Sequence, residues 1–139
     1  MFFASLIAAF AQNPYAGAPT PTVDLQPFTW TVPSRALGPT LDLKLTVPPG
    51  HAVYREYIEI RVVGGPVKVG EPGFPEPELG VDPSNPEVYR ALYRSDVPVT
   101  LPVTGAGTLQ LELSHQGCRQ GLCWPITRST HTVEIYEGG

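Results

Sequence analysis

The sequence contains two cysteines, Cys118 and Cys123, with four residues between them. A disulfide requires Cα atoms roughly 4.4–6.8 Å apart, and an extended chain of this length would hold them much farther apart. The chain must therefore fold back, and we expect Gly117 and Gly121 to supply the backbone freedom. Two neighbouring thiols can carry out thiol–disulfide exchange, because the second thiol resolves the mixed disulfide formed by the first.

Segments with alternating apolar and polar residues flank the cysteines, at 108–114 and at 131–136. Such alternation is typical of half-buried strands, so the stretch predicts a β-hairpin with a dithiol near its tip. Closing so small a loop stabilises a fold by only about 2 kcal/mol in the chain-entropy model, whereas a domain is stable by roughly 5–15 kcal/mol. We therefore expect the fold to survive reduction of the bond.

Two other interpretations of the cysteine pair remain open from the spacing alone. The bond could be a local structural cross-link without redox function. Cys118 and Cys123 could also bind zinc together with His115 and His131, although their spacing differs from the usual patterns of structural zinc. We expect no metal here.

Length and composition indicate one folded domain. The chain has 139 residues and a net charge of −4, with no basic run. This argues against binding to nucleic acid or to an anionic membrane surface. Seventeen prolines and fourteen glycines interrupt the chain often, but the apolar alternation between them is too regular for disorder.

The first eleven residues are apolar and too short to span a bilayer. Ala9-Phe10-Ala11 has the form of a signal-peptide cleavage site, so residues 1–11 are predicted to be a signal peptide and the protein to be exported. An N-terminal strand or a mis-assigned start is the alternative. Residues 12–26 form a flexible leader rich in proline and alanine, the domain occupies residues 27–139, and we expect no membrane span in the mature chain.

Short alternating segments run through the rest of the chain and predict an all-β protein, an antiparallel β-sandwich. In the segment 40–47, Leu41, Leu43, Leu45 and Val47 should face the core. The segment 97–103 has prolines in its polar phase, which favours an edge strand. Residues 70–96 break the pattern and predict a long irregular loop, within which 87–93 is either a helical turn or extended. The other predicted strands are 28–32, 51–55, 57–62 and 67–69.

The motif around the cysteines resembles that of a known family. Gln116-Gly117-Cys118 and Cys123-Trp124-Pro125 are similar to the redox motif of the N-terminal domain of DsbD, the bacterial thiol:disulfide interchange protein. The similarity covers roughly residues 28–136. Three further stretches, 49–54, 92–94 and 99–103, resemble family segments in the same order.

The resemblance implies an immunoglobulin-like sandwich in the periplasm that acts as a thiol:disulfide oxidoreductase without a cofactor. Family members are reduced by a thioredoxin-like domain and reduce thioredoxin-like partners, such as disulfide isomerases and proteins of cytochrome c maturation. This chain is expected to act as a stand-alone monomeric copy of the module, reduced by another protein. A non-catalytic envelope binding or adaptor domain with a structural disulfide is the alternative.

The resemblance also implies roles for individual residues. Cys123 would form the mixed disulfide, Cys118 would resolve it, and Tyr54 would pack beside the pair. A cap formed by residues 71–90 would shield the cysteines until a partner docks. The chain departs from the family in having one residue fewer between the cysteines and Ala52 where the family has a second tyrosine. Asp82-Pro83-Ser84-Asn85 stands where the cap has an aromatic tip, and Phe74, Leu79 and Tyr89 are possible substitutes for it.

The remaining motif residues allow both a functional and a structural interpretation. Arg119 and His115 are near enough in sequence to lower a thiol pKa. Arg119 could equally be a solvated turn residue, and His115, in phase with the leucines of its strand, a buried structural one. Trp124 could pack on a partner or in the core, and Pro125 could serve only to direct the chain.

Overall fold

A computed structural model describes residues 26–138 of the chain. The predicted signal peptide, and all of the predicted leader except Gln26, lie outside the described residues. The strands are β1 (Thr29–Thr31), β2 (Arg35–Leu37), β3 (Thr40–Thr46), β4 (His51–Tyr54), β5 (Glu59–Gly64), β6 (Lys68–Val69), β7 (Glu78–Asp82), β8 (Asn85–Tyr93), β9 (Val97–Thr104), β10 (Gly107–His115), β11 (Gly117–Arg119), β12 (Leu122–Cys123) and β13 (Thr127–Tyr136). A 3-10 turn, Arg55–Tyr57, follows β4. It is too short to cross a bilayer, and no other helix occurs between residues 26 and 138.

Two four-stranded sheets form the predicted sandwich. Their strand orders are β1-β3-β9-β6 and β2-β13-β10-β5, and the strands are antiparallel except where β2 runs parallel to β13. Both sheets contribute alternate residues to one core, as half-buried strands do. The predicted core positions of β3 and its end, Leu41, Leu43, Leu45 and Val47, are 0–4% exposed. The all-β sandwich expected from the sequence is confirmed.

A third sheet, with the strand order β12-β11-β4-β8-β7, carries the cysteines. It has a small core of its own, separate from the core of the sandwich. This second cluster consists of four buried residues, Ala52, Tyr54, Leu92 and Cys118. The partly buried Tyr57 packs against it.

The prediction of a long irregular loop over 70–96 is wrong for most of its length. Residues 78–93 form a β-hairpin, β7 and β8, and the undecided segment 87–93 is extended. Gly80 and Asp82 are buried, whereas Leu79 and Val81 are exposed. The polar and small residues therefore face inward, and this inversion of the usual pattern hid the hairpin. We call 78–93 the cap hairpin.

The prediction that 97–103 is an edge strand is also wrong. β9 lies between β3 and β6, but β6 pairs only with Val103 and Thr104. The Thr100 amide points toward that side and donates to the Gly73 carbonyl. Pro98 and Pro102 have the same phase as Thr100, so their missing donors face the sparsely paired side, where a proline is tolerated. β2 was not predicted.

The separate cores predict that the sandwich does not depend on the disulfide. The Cys118→Ala/Cys123→Ala variant should keep the β-sheet circular dichroism of the parent and lose about 2 kcal/mol of unfolding free energy. Denaturant unfolding of both proteins measures this difference. A variant that is unfolded in the absence of denaturant would contradict the expectation.

Candidate redox site

Cys118 and Cys123 are joined by a disulfide and lie directly opposite each other on β11 and β12. The chain reverses through Gln120 and Gly121, and Gly121 has a φ of +76°, which glycine adopts at little cost. The predicted dithiol hairpin is therefore confirmed. It is a small hairpin set between the long strands β10 and β13, and it belongs to the third sheet.

The expectation that Gly117 provides backbone freedom was wrong. Gly121 has a positive φ, but Gly117 is not among the glycines of residues 26–138 that have one. Gly117 instead provides room for an aromatic ring. A Cβ atom at this position would lie 2.3 Å from Cζ of Phe28. Phe28 is 1% exposed and packs edge-on against Trp124 and His115. The glycine therefore lets β11 lie close against this aromatic cluster.

Gln116 holds the two ends of the small hairpin together. Its side-chain Nε2 donates to the Trp124 backbone carbonyl at 3.1 Å, and its backbone carbonyl accepts from the Tyr54 amide at 3.0 Å. The Trp124 amide donates to the Gly117 carbonyl at 3.0 Å. These bonds fix the cysteine loop against β4.

The two cysteines differ in exposure. Cys118 is completely buried, whereas Cys123 is exposed. Leu122, Pro125 and Ile126, which surround Cys123 in the sequence, are exposed as well. A protein that approaches this surface therefore reaches Cys123 before Cys118.

Tyr54 contacts both sulfur atoms. Its hydroxyl oxygen lies 3.3 Å from Cys118 Sγ and 4.0 Å from Cys123 Sγ. The hydroxyl donates its hydrogen to Asp82 Oδ1 at 2.7 Å. Neither sulfur of a disulfide carries a hydrogen, so the oxygen faces Cys118 with a lone pair. Burial raises the pKa of Tyr54, and the hydroxyl therefore stays neutral at physiological pH.

Asp82 is a buried carboxylate, and its side chain is 4% exposed. The Ser84 amide and hydroxyl each donate to its Oδ1 at 2.8 Å, and Arg90 Nε lies 3.2 Å from its Oδ2. Burial opposes ionisation, but the hydrogen bonds from Tyr54 and Ser84 and the Arg90 charge outweigh it, so the pKa of Asp82 is lowered. The sequence indicated only a turn at Asp82 and Ser84, and it gave no signal for Arg90.

The turn of the cap hairpin lies against the cysteine loop. The Pro83 carbonyl accepts from the Gly121 amide at 3.0 Å. Next to this contact is a cleft of ≈ 290 Å³ whose lining includes Ala52, Val81 and Cys118. Ala52 stands where the family has a tyrosine, and its small side chain forms part of this lining.

None of the three candidate substitutes lies at the turn of the cap hairpin. Phe74 packs against the sandwich core, with the Arg55 guanidinium carbon 3.8 Å from its ring centre. Leu79 and Tyr89 lie on the outer face of the cap hairpin, 74% and 63% exposed. The residues at the turn itself are Asp82-Pro83-Ser84-Asn85.

His115 is buried, and its Nδ1 accepts a hydrogen bond from Trp30 Nε1 at 3.2 Å. Burial lowers the pKa of His115 to about 4, so at neutral pH it carries no charge that could stabilise a thiolate. Trp124 is 6% exposed and packs on Phe28, and Arg119 is exposed on the loop.

The zinc hypothesis required the two cysteines together with His115 and His131. His131 lies on β13 opposite Leu111, and its Nε2 is 2.7 Å from Ser129 Oγ. Within residues 26–138 no three His, Cys, Asp or Glu side chains lie close enough together to hold a metal ion. The sulfurs are bonded to each other instead.

The chain thus combines a β-sandwich with a side hairpin whose disulfide has one buried and one exposed cysteine. The model of the family "Thiol:disulfide interchange protein DsbD, N-terminal" matches residues 22–135. The chain belongs to this family.

A curated relative agrees with this assignment. The chain is 30% identical over 86 residues to the thiol:disulfide interchange protein DsbD of Pasteurella multocida, an alignment that covers 61% of this chain and 14% of that protein. The chain thus spans about a seventh of the length of this relative.

Solved structures share the fold. The reduced N-terminal domain of DsbD from Neisseria meningitidis superposes with a TM-score of 0.60 at 19% identity, covering 80% of this chain and 90% of that one. The same domain in complex with the N-terminal domain of PilB gives a TM-score of 0.58 at 19% identity, covering 78% and 87%. This likeness confirms the immunoglobulin-like fold.

The contact between Gly117 and Phe28 predicts a specific mutational response. Gly117→Ala should destabilise the protein by about 1–3 kcal/mol, since overpacking forces backbone shifts. Phe28→Leu in the same chain should recover part of this loss, because the smaller side chain leaves room for the added methyl group. Denaturant unfolding of both single variants and the double variant measures the coupling. Additive effects would contradict the proposed clash.

Burial of neutral His115 predicts a loss of stability in acid. Its pKa falls from 6.5 to about 4 on folding, so between these pH values the unfolded chain binds a proton that the folded one does not. Stability is complete above pH 6.5 and falls by at most about 3 kcal/mol as the pH drops toward 4. Unfolding free energies of the parent and His115→Gln across this range test the effect. Parallel pH profiles of the two proteins would contradict it. Burial also lowers the pKa of His131, but this histidine is present in both proteins, so its contribution cancels in the comparison.

Proposed function

We propose that this protein is an exported thiol:disulfide interchange domain that passes reducing equivalents between thioredoxin-like proteins through a reversible Cys118–Cys123 disulfide. One observation supports this most directly: within a single disulfide, Cys123 is exposed, while Cys118 is buried against a tyrosine hydroxyl. A disulfide built this way offers one sulfur to a partner and keeps the other in reserve.

Reduction begins when a thiolate of the donor attacks Cys123 Sγ. The S–S bond breaks, its electron pair leaves with Cys118 as a thiolate, and a mixed disulfide joins Cys123 to the donor. A second donor thiol then attacks the donor's own sulfur and releases Cys123 as a thiolate. The donor ends as a disulfide, and this chain ends as a dithiol after taking up the protons.

Transfer to the acceptor follows the same steps in the opposite direction. The Cys123 thiolate attacks an acceptor disulfide, and Cys118 then attacks Cys123 Sγ and displaces the reduced acceptor. No cofactor enters, since the two electrons move with the sulfur bonds.

Tyr54 assists the leaving sulfur in this scheme. When Cys118 departs as a buried thiolate, it needs a hydrogen-bond donor, and the Tyr54 hydroxyl is 3.3 Å away. The hydroxyl can turn from Asp82 to Cys118, because Asp82 keeps its bonds from Ser84 and Arg90. In the reduced state the Cys118 thiol can donate to the Tyr54 oxygen instead.

Thioredoxin-like partners are inferred from the family and from the surface at Cys123. The DsbD domain of Neisseria meningitidis has been solved in complex with the PilB N-terminal domain, so a domain with this fold binds another protein. Here Leu122 and Ile126 are 36% and 41% exposed beside Cys123, and apolar groups of this kind suit a protein interface. Supporting the export proposal, family members are normally periplasmic, a compartment in which disulfides persist.

The role assignment predicts a trapped intermediate. Reduced Cys118→Ser, mixed with an oxidised thioredoxin-like protein, should accumulate a mixed disulfide through Cys123, because this chain then has no thiol to resolve it. Cys123→Ser should give on the order of tenfold less, since its remaining thiol is buried. Non-reducing electrophoresis and mass spectrometry identify the product. Trapping that needs Cys118 rather than Cys123 would reverse the assignment.

The redox potential of the parent protein separates an exchanging disulfide from a structural cross-link. An exchanging disulfide should equilibrate with glutathione at a potential between about −120 and −270 mV, whereas a structural one lies below about −300 mV. A potential below the structural limit, with no exchange with a thioredoxin-like protein, would refute the proposed function and leave the adaptor alternative.

A further inference from the structure

Arg90 contacts three parts of the site at once, and in the exchange steps above it serves only as a partner of Asp82. Its Nε lies 3.2 Å from Asp82 Oδ2 on β7, and its Nη1 lies 2.5 Å from Glu56 Oε1 in the 3-10 turn. Its guanidinium carbon is 5.5 Å from the centre of the Tyr54 ring on β4. Arg90 therefore connects the cap hairpin to the two elements that lie next to it.

Asp82 carries the negative charge that Arg90 balances. Its side chain is 4% exposed, while that of Arg90 is 34% exposed. A buried carboxylate without a counter-charge is costly. A negative charge near a thiol also disfavours the thiolate and raises the thiol pKa. The hydroxyl oxygen of Tyr54 contacts Asp82 and both sulfur atoms. The charge of Asp82, and whether it is balanced, therefore affects the pKa of the thiols.

We propose that Arg90 is a positioning residue for the dithiol: it balances the charge of Asp82 and, through Asp82, orients the Tyr54 hydroxyl, so that Cys123 forms its thiolate readily in the reduced protein. The inference rests on the proposed function, in which the Cys123 thiolate is the attacking group. Arg90 does not touch either sulfur in this role.

Removal of Arg90 should leave Asp82 ionised. Tyr54 and the Ser84 amide and hydroxyl still donate to Oδ1, and hydrogen bonds to a carboxylate favour its charged form. The uncompensated charge then acts on the reduced cysteines. Other titratable groups near this network belong to β4, the 3-10 turn, the cysteine loop, the cap hairpin and the residue that follows it: His51, Glu56, Tyr57, Glu78, Arg94, Arg119, Cys118 and Cys123.

The test is the alkylation rate of Cys123 in the reduced protein, followed with iodoacetamide from about pH 5 to about pH 10 and assigned by mass spectrometry. In Arg90→Gln, the rate at neutral pH should fall about three- to tenfold and the midpoint of the profile should move to higher pH. Arg90→Lys keeps the charge but cannot bind Asp82 and Glu56 together. Its alkylation rate should therefore lie between those of the parent and Arg90→Gln.

Arg61→Gln is the matched control. Arg61 pairs with Glu112 at 2.6 Å on the β5–β10 surface, so the variant removes one arginine and one ion pair from a different sheet. Its profile should overlay that of the parent. A shift of the same size in Arg61→Gln would overturn the inference, because any lost positive charge would then have the same effect.

The double variant Arg90→Gln/Asp82→Asn tests whether Arg90 acts through Asp82. With the carboxylate neutral, removing Arg90 leaves no charge uncompensated, so the profile should return to that of Asp82→Asn alone. The inference would be overturned if Arg90→Gln shifted the alkylation profile as much in the Asp82→Asn protein as in the parent. It would also be overturned if the Arg90→Gln profile overlaid that of the parent. If Arg90→Gln does not fold, Arg90→Lys is the deciding variant, and a Lys profile equal to the parent's would overturn it.

Alkylation needs no partner protein, so the two proposals fail separately. A parent protein that exchanges with a thioredoxin-like protein, combined with an unchanged Arg90→Gln profile, refutes only the role of Arg90. A parent that does not exchange refutes the proposed function whatever the profiles show, and the effect of Arg90 on the thiols is then judged from alkylation alone.

Discussion

The site depends on a change in strand pairing after His115, where the chain leaves one sheet and joins another. β10 ends there between β5 and β13, and one residue later β11 pairs with β4, with Cys118 opposite Ala52. Residues two apart on a strand share a face, so this register puts Cys118 on the same face as Tyr54. A slip of one residue would turn the sulfur to the opposite face. The Phe28 ring beneath Gly117 fixes the register, since a residue with a side chain does not fit there.

This change of partner also divides the molecule into two cores. The sandwich core is built mainly from β3, β9, β10 and β13, with Val53, Tyr93 and Trp124 packed into it, whereas Cys118 belongs to the small cluster with Ala52, Tyr54 and Leu92. Opening the disulfide therefore alters packing in the small cluster and leaves the leucine and valine layers of the sandwich in place. In the proposed exchange the bond can open in every cycle at a cost of only about 2 kcal/mol in global stability.

The sandwich could be predicted from the sequence because its strands bury apolar residues at alternate positions. β3 and β9 alternate in this way along their whole length: Leu41, Leu43 and Leu45 of β3 point inward, and the outward residues of the two strands are charged, polar or proline. The cysteine hairpin could be predicted because only a chain reversal brings two thiols so close. Sequence pattern thus gave the scaffold and the two reacting atoms.

The surroundings of the disulfide could not be predicted, because they invert the same rule. In the cap hairpin, Asp82 is buried and Leu79 exposed, and burial of a carboxylate is understandable only when its donors are seen. Ser84 is the one donor close to Asp82 in the sequence, whereas Tyr54 lies 28 positions earlier in the chain and Arg90 lies on the next strand. Gly117 was misjudged for a related reason, since its need for space comes from Phe28 and not from its own turn.

The inverted hairpin is consistent with the chemistry proposed for the site. A hydroxyl has one hydrogen and can serve only one acceptor at a time. If Tyr54 were the sole donor to Asp82, turning toward the Cys118 thiolate would leave a buried carboxylate without a partner. The cost of an unsatisfied buried group is about 1–3 kcal/mol, and it is larger when the group is charged. Ser84 and Arg90 remove that cost, because Asp82 stays hydrogen-bonded when the hydroxyl leaves it. In this scheme Ser84 and Arg90 of the cap hairpin are the donors that leave the Tyr54 hydroxyl free to follow the charge.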